Sequence, residues 1–444
     1  MTEPPFGFGP GGGSGDDKSG SGGAGGPLGP FGGAGPLGPM GDPQQFADAL
    51  RQFADLMSWQ GGPVNWDLAK NIARQTVAQK GDASVLEVDR SKVTEALRLA
   101  DLWLEDATEF PSGIRTSEAW SRAEWVEATL PVWSKLCDPI AARAVEAMSG
   151  LISADPAEMV ADLPPEMQAM VGGLGGFGGL GEMMRRIGGM MVGGQTGAAV
   201  GALAEEVVSS TDVGLPLGPA GTAALLPAGV AAFGAGLSVD LDEVRLFLAL
   251  REAAHHRLFG HVPWLRQRLL DTVDAYARGI TVDTSVIERA VAQIDLMNPE
   301  SLQEAMQGGL FEPQTTPEQN VALARLETLL ALVEGWVDAV VATAGEGRLP
   351  GSDALRETLR RRRASGGPAE QTFATLVGLE LRPRRLRDAA RLWQVLAERR
   401  GAEGRDAVWA HPDLLPDASD LDDPDGFAER TESGPTDFPD FGSG

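Results

Sequence analysis

At 444 residues and 43% apolar content the chain is long enough to bury a large core. Its formal charge of −26 disfavours nucleic acid and anionic membrane surfaces as partners. One cysteine, Cys137, excludes an intrachain disulfide and suits a reducing, cytoplasmic setting, with an exported protein lacking disulfides left open.

The 58 glycines and 30 prolines are concentrated at the N-terminus and in a central stretch. Residues 1–43 are Gly, Pro and Ser with scattered phenylalanines, a composition that predicts disorder. No basic start followed by an apolar run marks a secretory signal. No run of about 18 apolar residues predicts a spanning helix.

A helical pattern begins at Pro43–Trp59. Others follow at Val64–Gln79, at Ser91–Ala107 and from Trp120 through Trp125 and Trp133 to Met148. These tryptophans read as core rather than as a ligand platform.

Residues 171–201 form a Gly/Met-rich insert in which Gly176–Gly181 matches GxGxxG. No strand precedes it, so a dinucleotide site is not expected. Small residues at helical spacing in Gly193–Ala204 predict a helix packed very closely on another, and Arg185, Arg186 and Gln195 weigh against a membrane hairpin.

Proline and glycine break residues 214–240 into pieces read as one or two short strands or an irregular loop, too short for helices. Ser238 or Asp240 then caps a helix through LDEVRLFLALREAAHHRLFGH. Thr316-Pro317-Glu318-Gln319 has the form of a capping box with proline at the first helical position, and it opens a second long apolar helix. Later helices are expected at Ser352–Arg363, Pro368–Val377 and Pro383–Glu398, and residues 416–444 are expected to be a disordered acidic tail.

The chemistry concentrates in few residues. Of four histidines, His255, His256 and His261 fall within seven positions; His411 stands apart before Pro412, where it can fix a loop. A zincin helix carries HExxH, so that histidines at i and i+4 bind one zinc while the glutamate polarises water. Here those positions read Arg251-Glu252-Ala253-Ala254-His255. Val244, Phe247, Leu248, Arg251, Glu252, His255 and Phe259 share roughly one face, so Arg251 and Glu252 need partners. Downstream, Glu334-Gly335-Trp336-Val337-Asp338 sets two carboxylates one turn apart in an apolar helix, where charge is costly unless paired.

With these residues in view, the chain resembles the actinobacterial zincin-like metallopeptidases of type 2. REAAHHRLFGHVPWLR at Arg251–Arg266 is similar to that family's motif helix, with Phe259 and Val262–Arg266 at matching spacing. LVEGWVDAVV is similar to its glutamate helix, and RRRASGGPAEQTFATLVGLELRPRRLRDA and VWAHPDLLPDASDLDDP extend the likeness over roughly residues 90–425. The resemblance implies a mainly α, gluzincin-like domain over residues 44–415 with at most a small β element. It also implies Glu252 as general base, His255 and Glu334 as zinc ligands and Asp338 as their hydrogen-bonding neighbour. Arg251 stands where the first ligand histidine would be, and arginine cannot ligate zinc.

Two readings follow. In the first the site is zinc-free and catalytically impaired, Arg251 pairs with Glu334 or Asp338, and the chain is a binding or scaffold module for a peptide or protein. In the second it is an active zinc metallohydrolase whose missing ligand comes from His256 or His261. Leu258 replaces the glycine that would turn His261 back toward a metal, and His256 lies about 100° round the helix from His255. Both histidines also suit hydrogen-bonded positions near a helix end. The basic runs Arg360–Arg363 and Arg382–Arg387 read as paired with carboxylates rather than as a nucleic-acid surface. Cys137 reads as a small buried apolar residue, and no GxSxG elbow supports serine chemistry. Oligomeric state is left open.

Overall fold

In a computed structural model the described residues are 59, 62–150, 176–278, 316–364 and 385–432. The expected helix at Pro368–Val377, and all but the last residue of that at Pro43–Trp59, lie outside them. The chain divides into Met1–Trp59 and Gln60–Gly444, and every described element belongs to the second unit.

That unit is mainly helical, as expected. In chain order the elements are α1 (Trp66–Lys80), α2 (Glu87–Leu104), β1 (Thr116–Ala119), α3 (Arg122–Gly150), α4 (Gly176–Glu206) and β2 (Thr222–Leu225). Then come α5 (Pro227–Gly234), α6 (Leu241–His261), α7 (Pro263–Arg278), α8 (Pro317–Gly345), α9 (Ser352–Ala364), α10 (Leu386–Asp406) and α11 (Pro424–Glu432). The small β element is a parallel pair, Thr116 beside Thr222 through Ala119 beside Leu225.

Local chemistry accounts for the helix starts. Asn65 caps α1 by accepting from the amide of Leu68 at 3.0 Å. Asp240 caps α6 by accepting from the amide of Asp242 at 2.8 Å. The Thr316 capping box is complete in both directions, at 3.2 and 2.9 Å.

The core is built on α6 and α8. From Val244 to Leu258 all but Leu246 of α6 is buried, and Trp336 and Val337 of α8 are fully enclosed. Trp125 and Trp133 are buried in the same core, as is Cys137, whose thiol burial pushes up to about 12. Helix α8 is long and apolar enough to cross a membrane, but 83% of its apolar 18-residue window is buried inside the protein.

Two expectations need correction. Residues 227–234, read as too broken for a helix, form α5, because Pro227 sits at the first helical position, where its missing N–H is not needed. The acidic tail expected from Pro416 instead carries α11, whose Phe427 and Ala428 are buried and whose partner α10 offers Arg399 to Asp425 at 2.6 Å.

The close approach expected of Gly193–Ala204 is present. A Cβ on Gly197 would stand 2.4 Å from the carbonyl oxygen of Ala69, and one on Gly201 would stand 2.7 Å from Cβ of Thr76. Side chains are excluded there by the backbone of α1, so the glycines set the α1–α4 spacing. Gly197→Leu is therefore expected to destabilise by about 3 kcal/mol or more. Gly194→Ala, whose Cβ meets nothing nearer than Ile72 Cδ1 at 3.8 Å, should leave stability unchanged or raise it by up to about 1 kcal/mol. Chemical denaturation of the two variants checks the contrast.

Candidate metal-site remnant

Helix α6 presents two pairs of residues at i and i+4, on faces about 100° apart. The first pair, Arg251 and His255, faces α8. The Arg251 Nη2 lies 2.5 Å from Glu334 Oε2, and His255 Nε2 lies 3.1 Å from Glu334 Oε1. The His255 Nδ1 lies 2.8 Å from the carbonyl oxygen of Arg251, which fixes the ring. The two distant helices therefore meet as the resemblance required, and Arg251 takes Glu334, one of its two expected partners.

The second pair, Glu252 and His256, faces β2 and the segment between α4 and β2. Glu252 is fully buried and accepts from five donors. These are the Ser210 hydroxyl, the Thr211 hydroxyl at 2.5 Å and amide at 3.3 Å, the Ala224 amide at 3.1 Å and His256 Nε2 at 3.2 Å. Burial alone would raise its pKa, but the hydrogen bond and charge of His256 and the two hydroxyls outweigh that and hold it at about 2.

Asp338, one turn along α8 from Glu334, does not serve as the histidine's neighbour. Arg356 grips it through Nε at 3.2 Å and Nη2 at 2.7 Å, and Arg360 Nη2 adds a contact at 2.6 Å. Burial would raise its pKa, yet Arg356, Arg360 and the charge of Arg251 keep it below the usual carboxylate range.

Neither alternative ligand reaches the first cluster. His256 is taken by Glu252. His261 places Nδ1 2.9 Å from the Arg257 carbonyl oxygen and stacks on Phe110 with ring centroids 6.2 Å apart. His411 caps a short turn by accepting from the Asp413 amide. The basic runs are paired where described: Arg361 with Glu357, Arg362 with Glu206, Arg385 with Asp388 and Asp422, and Arg387 with Glu357.

Several residues that matter were not singled out from sequence. Gly214 has φ +74°, and a Cβ there would stand 2.7 Å from Glu334 Oε1, so the chain crosses directly over the carboxylate. Ser210 and Thr211 hold that segment to Glu252. The spacing of Arg356 and Arg360 at i and i+4 was the available clue to the grip on Asp338; the polar run Ser209–Asp212 between apolar segments was the clue to the segment. Buried Arg257, gripping Asp101 and the Phe110 carbonyl, gave none.

A family profile for zincin-like metallopeptidases matches residues 64–428. The chain belongs to the zincin-like metallopeptidase family. Comparison with curated proteins gave no match. Among solved structures, the chain is similar to a crystal structure described as "a putative hydrolase with a novel fold from Chloroflexus aurantiacus". The identity is 19% and the TM-score 0.56, over 83% of this chain and 99% of that one, a likeness of fold.

The residues present do not fit the zinc that a zincin implies. A zinc site needs three protein donors around an open position. Here two of them, His255 and Glu334, face each other directly, and the third position is a guanidinium with no lone pair to give. Among the described residues no three His, Cys, Asp or Glu side chains converge as a metal site.

The Glu252 carboxyl predicts acid sensitivity. Its folded pKa of about 2 lies below the ordinary 4.5, so its stabilisation is complete above about pH 4.5 and is lost as pH falls toward 2. The difference amounts to about 3 kcal/mol at neutral pH. Glu252→Gln should melt below the natural protein at pH 7, with the gap narrowing steadily between pH 4.5 and 2. A gap independent of pH would contradict the assignment.

Proposed function

We propose that this chain is a catalytically silent, zinc-free member of its family that serves as a binding or scaffold module for a peptide or protein. The observation that carries this reading is the engagement of Glu252. A general base must reach the proton it abstracts, within about 3 Å or through one water. The Glu252 carboxylate is instead fully buried among donors from Ser210, Thr211, Ala224 and His256.

Access supports the same reading. Glu334, His255 and Arg251 are all buried, and the backbone at Gly214 lies against the Glu334 carboxylate. A substrate carbonyl would have to displace that segment to approach Glu334 from that side. The polar groups that would polarise water or carry charge in a hydrolase are here used to hold helices together.

The test is hydrolysis by the purified full-length protein, using a mixed peptide library and an unfolded protein substrate. Cleavage at the level of buffer alone, unchanged by added zinc or by chelator, is expected. Cleavage that chelator removes and that Glu252→Gln abolishes would sink the reading.

A further inference from the structure

Burying the Glu334 carboxylate requires a positive charge beside it, because an unpaired buried ion is strongly disfavoured. In a metal site the ion would supply that charge. Here Arg251 Nη2 supplies it from 2.5 Å, on the same helical face as His255 and one turn away.

The surrounding geometry is otherwise that of a prepared ligand set. The His255 ring is oriented by its Nδ1 contact to a main-chain carbonyl, as a ligating imidazole usually is, leaving Nε2 aimed at Glu334. Glu334 sits on the rigid, capped helix α8. No side chain fits between the backbone at Gly214 and this carboxylate, since a Cβ there would stand 2.7 Å from Oε1.

We propose that Arg251 is a built-in cation occupying the place of a metal, and that His255 and Glu334 are two-thirds of a latent divalent-metal site that the single substitution Arg251→His completes. An imidazole is shorter than the arginine side chain, so the exchange opens space at the carboxylate as it adds the third donor. Two nitrogens and one carboxylate would then face one point, a set suited to zinc. This inference shares with the proposed function the zinc-free state of the natural chain, but it concerns binding and not hydrolysis. Glu252 keeps its five donors in the variant, so zinc uptake without cleavage is expected.

The experiment compares the full-length natural protein, Arg251→His and Arg251→His/Glu334→Gln after chelator treatment and dialysis. Zinc uptake is measured by titration, and thermal melts are recorded with and without zinc. The natural protein should take up no stoichiometric zinc, and neither zinc nor chelator should move its melt. Arg251→His should melt lower without metal, bind about one zinc per chain, and gain a few degrees at a zinc concentration about 100-fold above its Kd. Cobalt(II) in place of zinc should give the visible absorption of a low-coordinate site. The double variant should lose uptake and shift.

A folded Arg251→His that ignores zinc overturns the latent site. Stoichiometric zinc in the natural protein, lost on Glu334→Gln, overturns the built-in cation. If Arg251→His does not fold without metal, Arg251→Gln and Glu334→Gln and their double variant give a second measure. A double variant no more stable than the sum of the two single losses predicts would show that Arg251 does not neutralise Glu334, and so also overturns it.

Discussion

A single carboxylate in the middle of an apolar helix sets the terms for this fold. Glu334 lies on α8 among Leu332, Val333, Trp336 and Val337, all buried, where an unbalanced negative charge is not tolerated. Its two oxygens face cation-capable groups of α6, Arg251 and His255. Asp338, one turn on, meets Arg356 and Arg360 of α9. The acidic ladder of one core helix thus fixes where two other helices stand. Breaking such a pair by removing one partner typically costs 3–5 kcal/mol, although the intact pair adds little net stability. The pairing therefore specifies a register more than it stabilises the chain.

Helix α6 divides its polar work between two faces. Arg251 and His255 serve α8, while Glu252 and His256 serve β2 and the segment that precedes it. In a helix this deeply buried, each polar residue needs a partner at the end of its own direction, and a separation of one residue turns that direction by about 100°. Residues adjacent in a catalytic motif can therefore belong to separate hydrogen-bond networks. The carboxylate at 252 and the cluster at 251, 255 and 334 are such a case. The engagement of that carboxylate by a separate network is what the proposed loss of catalysis rests on, since a base and a metal ligand act together only when they converge on one reacting atom.

Much of this was legible before any coordinates. Capping residues Asp240 and Thr316 announced their helices because they meet specific unsatisfied amides. The glycine spacing in Gly193–Ala204 announced a close helix contact. Arg251, Glu252, His255 and Glu334 stood out as charge in apolar surroundings. Less legible was the direction of each side chain. Nothing local distinguishes an aspartate that turns to a histidine from one that turns to α9, and Asp338 was read the wrong way for that reason. Gly214 was invisible because its role depends on a carboxylate 120 positions downstream. Helix α11 was masked by acidic composition: two buried residues, Phe427 and Ala428, suffice to seat a short helix once a basic partner such as Arg399 faces it.

The choice of arginine as the cation follows from the same physics. Zinc is exchangeable, and its ligands must be deprotonated, so metal-held neutrality depends on pH and on supply. A lysine would be a point charge on a flexible stem and shifts its pKa readily when buried. The guanidinium stays protonated at any ordinary pH and donates in a fixed plane. At Glu334 it supplies a positive charge that chelator cannot remove. The cost is chemical: a guanidinium cannot accept a water or a carbonyl oxygen as a ligand. On the zinc-free reading proposed above, a site built around Arg251 holds its helices together under conditions in which a metal site would empty, and gives up the Lewis acid in doing so.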